Sequence, residues 1–141
     1  MKISKLTSFK DYITEVTSRD MNIFITIAKT IITCYKTYNM DDGNPNPIYL
    51  KALTNIKNAG LISDFDIKTN TVDASTVSSD DIQNNITKFV DTILYDWQTM
   101  SQEAKTDPWY KRVERQACVD IFNILRRNHI IKDYNLKGIT Y

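Results

Sequence analysis

Glycine, proline, cysteine and histidine are all scarce in this chain, at three, three, two and one of 141 residues. Glycine and proline punctuate turns, so their shortage argues against many short strands and for a few long helices. The single histidine, His129, excludes a histidine-based metal site within one chain, and the two cysteines, Cys34 and Cys118, cannot make a zinc site. Both cysteines fall among apolar residues in helical patterns and read as inert core fillers. Long apolar runs are missing too: the longest, Ile23 to Tyr35, is broken by Lys29 and several threonines and is not a membrane span. No signal-peptide pattern follows Met1. A reducing environment is expected, with Asn85-Ile86-Thr87 an accidental sequon inside a helix.

Catalytic vocabulary is equally thin. Asp64-x-Asp66-x-Lys68-x-Asn70 resembles a calcium loop in outline, but Lys68 occupies a ligand position, Thr69 the turn glycine's and Ser75 that of the bidentate glutamate. There is no glycine-rich phosphate loop and no nucleophile elbow. Cys118 and His129 are separated by about three helical turns, too far for a dyad unless the partner comes from another subunit. The expectation is a non-enzymatic protein with no cofactor and no metal.

What is present is a helical protein's patterning. At 42% hydrophobic and 25% charged residues, the chain suits one domain spanning residues 1–141, with halves at 18–72 and 78–140. Ser8 starts a short helix with Phe9, Tyr12, Ile13 and Val16 on one face. Thr17-Ser18-Arg19-Asp20 is a second start signal, followed by an apolar face of Ile23, Phe24, Ile27, Ile31, Cys34, Tyr35 and Tyr38. Ile25 and Ile32 lie off that face, so this helix is expected to be buried on more than one side, either centrally or against another subunit. Asp41 to Pro47 is a loop, and Pro47 starts a helix carrying Leu50, Leu53 and Ile56 that Gly60 stops. Ser63 to Val72 reads as extended. A polar connection from Asp73 to Ser79 then ends in the capping residues Ser78 and Ser79. Residues 80–100 form the clearest helix, with Ile82, Ile86, Phe89, Val90, Ile93, Leu94, Trp97 and Met100 at spacings of three and four. After a loop from Ser101 to Asp107, Pro108 is expected to open a last helix whose inner face is Val113, Ala117, Ile121, Ile124 and Leu125.

Two stretches 69 positions apart share an order of helix and then strand. Ile62, Asp64 and Lys68 recur as Ile131, Asp133 and Lys137, and Leu61, Phe65, Asp66 and Ile67 as the similar Ile130, Tyr134, Asn135 and Leu136. Duplication explains this, and so does convergence on a shared periodicity. The fold expected is mainly α, a bundle of about five helices with a small two-stranded β ribbon and a pseudo-repeat of helix, loop, helix and strand. The ribbon is expected to pair Leu61–Lys68 with Ile130–Lys137. The rival is a local hairpin, Ile62–Ile67 with Thr71–Val72 around Lys68-Thr69-Asn70, leaving the C-terminal strand to add to a neighbouring subunit.

Charge is unevenly spread: net +3 over residues 1–38, −6 over 39–107 and +4 over 108–141. This reads either as solvated helix faces or as head-to-tail self-association. Trp97 lies on the apolar stripe and is expected in the core. Trp109 sits beside Tyr110 and Arg112, and these three with Arg115, Arg126 and Arg127 form the candidate interaction set, an aromatic and arginine chemistry enriched in binding patches, although a first-turn tryptophan folded onto its own loop is at least as common.

Three resemblances bear on function. Ser79-Asp80-Asp81 through Asp96-Trp97, a capped amphipathic helix in an Asn/Ile/Lys/Thr-rich and glycine-poor chain, resembles a helix of small phage head-to-tail adaptor (connector) proteins. That resemblance implies a helical virion component forming rings through protein partners, as a homo-oligomer or with other virion proteins, located in the virion or the host cytoplasm. Leu53 to Ile62 resembles the end of a winged helix leading into its wing. DNA binding is then the alternative, although Lys51 and Lys57 are that helix's only cations and Asp64, Asp66 and Asp73 would meet the phosphates; the C-terminal copy, with Lys111, Arg112, Arg115, Arg126, Arg127 and Lys132, is better placed electrostatically. Phe9-Lys10-Asp11-Tyr12-Ile13 and the Ile-rich second helix resemble viral Bcl-2-like bundles that engage host proteins, but this chain lacks the Gly-Arg pair and a membrane tail.

Overall fold

The computed structural model describes residues 22–76 and 79–131, with the side chains of 79 and 80 left aside. Within them the order is α1 (Ile23–Thr37), α2 (Pro47–Asn58), β1 (Ile62–Asp66), β2 (Thr71–Ala74), α3 (Ser79–Glu103) and α4 (Arg112–Arg127). The architecture is mainly helical with one small antiparallel sheet, and four helices rather than about five lie among the described residues. The helix expected from Ser8 and the start signal at Thr17–Asp20 lie outside those residues. Each helix packs on its successor across a loop, α1 on α2 and α3 on α4, and α2 touches all three other helices.

α1 buries Phe24, Ile27, Ala28, Ile31 and Ile32 completely, so Ile32 widens the buried stripe, while Ile25 is half-buried. Tyr38 does not belong to the apolar face as expected. It caps the helix in an extended conformation and is 57% exposed. α2 starts at Pro47 as its fixed φ allows, but its buried face is Tyr49, Ala52, Leu53 and Ile56. Leu50 is exposed, because α4 packs on the Tyr49 side, where Asp120 takes the phenol's hydrogen bond at 3.0 Å. Asn46 caps α2. Its Oδ1 accepts from the Ile48 N–H at 3.0 Å and its Nδ2 donates to the Val113 carbonyl at 3.2 Å, which satisfies a side chain only 1% exposed.

All eight apolar residues of the α3 stripe are buried. α3 runs on to Glu103, past the expected loop start at Ser101. α4 begins four residues later than expected, at Arg112. The Asp107 carboxylate accepts the Trp109 N–H at 3.1 Å and the Asp107 carbonyl the Tyr110 N–H at 2.9 Å, which closes a turn over Pro108. Lys111, at φ 44°, then lies in the left-handed region, where a right-handed helix cannot pass. Of the expected inner residues Val113 is only half-buried, and Cys118 and Phe122 complete the face.

The sheet is the local hairpin. Phe65 faces Val72 and Asp66 faces Thr71, with an irregularity between Ile62 and Asp64. The expected pairing of β1 with the C-terminal strand lies largely outside the described residues. Inside them, Ile130 and Ile131 are buried and β1's partner is β2. The turn forms because the Asp66 carboxylate accepts the Lys68 and Thr69 N–H groups at 2.9 and 3.3 Å, and Asn70 accepts φ 56°. Ser75 Oγ donates to the Gly60 carbonyl and ties the second strand's exit to the end of α2.

The two helix ends 69 positions apart share one cap. Gly60 (φ 74°) follows α2, with its N–H on the Lys57 carbonyl and the Leu61 N–H on Ile56; His129 (φ 61°) follows α4, with its N–H on Arg126 and the Ile130 N–H on Leu125. Both are Schellman motifs, each folding an apolar pair, Leu61-Ile62 or Ile130-Ile131, back into the core. Tyr49, Ala52, Leu53 and Ile56 likewise match the buried Cys118, Ile121, Phe122 and Leu125 at the same offset.

Candidate functional site

The sequence-based interaction set divides between the two ends of α4. Arg126 and Arg127 lie in its last turn, where the helix dipole favours cations, fourteen residues or roughly 21 Å beyond Arg112. Arg126 donates to Asn123 Oδ1 at 3.4 Å, and Arg127 is close enough to α1 for its charge to act on Cys34. They do not join the aromatic residues in one site.

The other four residues surround the turn before α4, and their roles differ. Trp109 is 74% exposed, and the Arg112 guanidinium lies over its ring at 5.3 Å from the centroid. Tyr110 is half-buried against the core, with the Lys111 ammonium 5.6 Å from its ring centroid. Arg115 is a brace: its Nη2 donates to the Pro108 carbonyl at 2.8 Å and its Nε to the Tyr110 carbonyl at 3.0 Å. The guanidinium fork therefore holds both carbonyls flanking Trp109, and the exposed indole is presented from a fixed turn.

Sequence reasoning missed the facing loop. Between α1 and α2, Asn39 bridges to Pro45, the Met40 N–H donates to Asn44 at 2.8 Å and the Gly43 N–H to Met40 at 2.9 Å. Gly43, at φ 84°, supplies the left-handed residue this tight turn needs. The Asp42 carboxylate accepts from the Asn44 backbone and side chain, each at 3.0 Å, and these bonds hold its carboxyl below the usual carboxylate range. The signal was available: Asp41-Asp42-Gly43 reads as a turn, and a turn beside an exposed helix end presents whatever side chains it carries.

Two adjoining clefts run between these loops. One, of about 400 Å³, includes Tyr38, Tyr49, Arg112, Gln116 and Asp120 in its lining. Asp120 at its floor accepts from Tyr49 Oη and from Gln116 Nε2, both at 3.0 Å. Burial and then the Asp120 charge raise the Tyr49 phenol's pKa, so it stays a neutral donor. The other cleft, of about 520 Å³, is lined by Met40, Asp41, Asp42, Trp109, Lys111, Arg112, Val113 and Glu114. Arg112 and Val113 belong to both, so the clefts form one surface at the loop end of the α1, α2 and α4 packing.

The thiols lie off this surface in the chemical sense. Burial pushes Cys118 up to about 12, and burial followed by the Asp120 charge raises Cys34, so both stay protonated and weakly nucleophilic at neutral pH. Among the described residues no group of three metal-ligating side chains converges, and no helix is long and apolar enough to cross a membrane. No protein-family model, curated protein or solved structure matches this chain.

Proposed function

We propose that this chain is a non-enzymatic structural or interaction protein whose loop face binds another protein, with the assembly of a virion, such as a head-to-tail connector ring, as the setting its helical vocabulary resembles. The observation that carries the reading is Trp109: a tryptophan 74% exposed yet fixed by the Asp107 turn and the Arg115 brace. An aromatic residue on a braced backbone loses less conformational freedom on binding, and tryptophan and arginine are both enriched in binding hot spots.

The DNA-binding alternative has one feature in its favour, the hairpin that follows α2 directly through Gly60 as a wing would. Charge opposes it. Lys51 pairs with Asp96 at 2.7 Å and Lys57 with Asp64 at 3.1 Å, so both cations of α2 are already committed, and Asp64 and Asp73 face each other across the hairpin.

Sedimentation velocity of the chain, alone and mixed with phage portal rings, tests the proposal. A heavier species in either sample that Trp109→Ala abolishes is the expected result. A monomer in both samples that retards duplex DNA in a salt-dependent way would replace the reading with DNA binding, and a monomer that does neither would remove it.

A further inference from the structure

The loop face carries opposite charges that form no ion pair among the described residues. Among the described residues the ion pairs are Lys51 with Asp96 and Lys57 with Asp64; Asp41, Asp42, Lys111 and Arg112 belong to neither, although all four line the same cleft. The carboxylates belong to the turn after α1 and the cations to the turn and first residue of α4. Hydrogen bonds hold both turns, Lys111 lies over Tyr110 and Arg112 over Trp109, and the two signs therefore stand on separate loops of the cleft without pairing with each other.

We infer that this face docks onto the same face of a second copy of the chain about a two-fold axis, with Lys111 and Arg112 of each copy opposite Asp41 and Asp42 of the other. The inference rests on the protein-binding reading of the face and narrows it to one occupant. In a two-fold contact a patch meets its own rotated image, so a patch of one sign repels itself, whereas one with both signs on opposite sides complements itself. Trp109, 74% exposed in the same cleft, and Tyr38, 57% exposed in the adjoining one, offer the apolar area of the contact. A nucleic acid would meet Asp41, Asp42 and Glu114 at close range, and a partner of a single charge sign would be repelled by one of the two loops.

The test is sedimentation velocity of the full chain over roughly 1 to 300 μM, the range in which a modest two-fold contact dissociates. A reversible monomer–dimer equilibrium is expected, weakening with salt. Lys111→Glu with Arg112→Glu, and separately Asp41→Lys with Asp42→Asn, should each weaken it by about tenfold or more. Asparagine at the second position keeps the oxygen that accepts the Asn44 N–H, and thermal unfolding confirms that each variant is folded. An equimolar mixture of the two variants should restore a dimer, because both contacts are then between opposite charges. A wild-type monomer throughout, an association that ignores both variants, a mixture that stays monomeric, or growth beyond the dimer each overturns the inference. A monomer alone that still joins portal rings through Trp109 overturns self-docking while leaving the protein-binding reading in place.

Discussion

Trp97 and Trp109 show how one residue type takes opposite roles. Trp97 is 2% exposed on the α3 stripe and Trp109 is 74% exposed on a turn. Trp97→Ala should cost about 3–5 kcal/mol in urea unfolding through lost transfer energy and a cavity. Trp109→Ala should stay within about 0.5 kcal/mol of wild type. Equal losses would mean that the indole supports the fold rather than a contact. Arg115→Ala should loosen the turn by removing donors to two carbonyls, read as faster quenching of Trp109 fluorescence with α4 intact. Cys118 gives a pH signature. Its thiol ionises at about 12 when folded and near 8.5 when unfolded. The unfolded state therefore loses its proton first, and stability fully present below about pH 8.5 declines as pH rises toward 12. The slope from one group is bounded by about 1.4 kcal/mol per pH unit. Urea titrations at neutral and alkaline pH should show a larger loss for wild type than for Cys118→Ala.

At the scale of elements, caps and turns decide where each helix stops. Gly60 and His129 hold the same position after α2 and α4 with φ of 74° and 61°, but only glycine does so without a Cβ penalty. Gly60→Ala should destabilise by about 1 kcal/mol, and His129→Gly should stabilise by up to about the same amount, less the extra freedom glycine brings to the unfolded chain. Thermal unfolding of both variants checks the pair, and a destabilising His129→Gly would show that the imidazole makes contacts that outweigh its backbone strain. The hairpin reflects the same local logic: Asp66 and Asn70 build its turn, and its facing aspartates, Asp64 and Asp73, are tolerated because Lys57 reaches Asp64. That ammonium holds the Asp64 carboxyl below its ordinary range.

For the whole molecule, the core is one continuous cluster from all four helices, both strands and the Leu61-Ile62 and Ile130-Ile131 pairs. Deleting residues 130–141 therefore removes two fully packed isoleucines, and the folded monomer should be lost or strongly destabilised by circular dichroism. Ile131→Ala alone should cost about 2–5 kcal/mol. A truncated chain that keeps wild-type stability would mean that the tail's isoleucines add nothing to the core. The charge segregation along the chain is +3, −6 and +4, and residues of the last two segments meet in the fold. The acidic turn at Asp41-Asp42 and the basic start of α4 line one cleft.

The helices were legible because their signals are local: three-and-four spacing in residues 82–100, proline at the first position of α2, and a glycine after its last turn each act within a few residues. The hairpin was legible only as one of two pairings, since alternation marks a strand without naming its neighbour. Sequence placed Trp109 at or near a surface contact, from its position just after a loop and its basic neighbours, with a tryptophan folded onto its own loop as the alternative; it is exposed. Packing decided the rest. Leu50 yields the inner face to Tyr49 because a carboxylate from α4 waits for the phenol, and Pro108 starts a turn because Asp107 and Arg115 bind its backbone first. The candidate interaction set fell into two because residues close in composition lie at opposite ends of one helix. The loop that completes the site is more than sixty residues away in the chain, and only the packing of α1 and α2 against α4 brings it to Trp109.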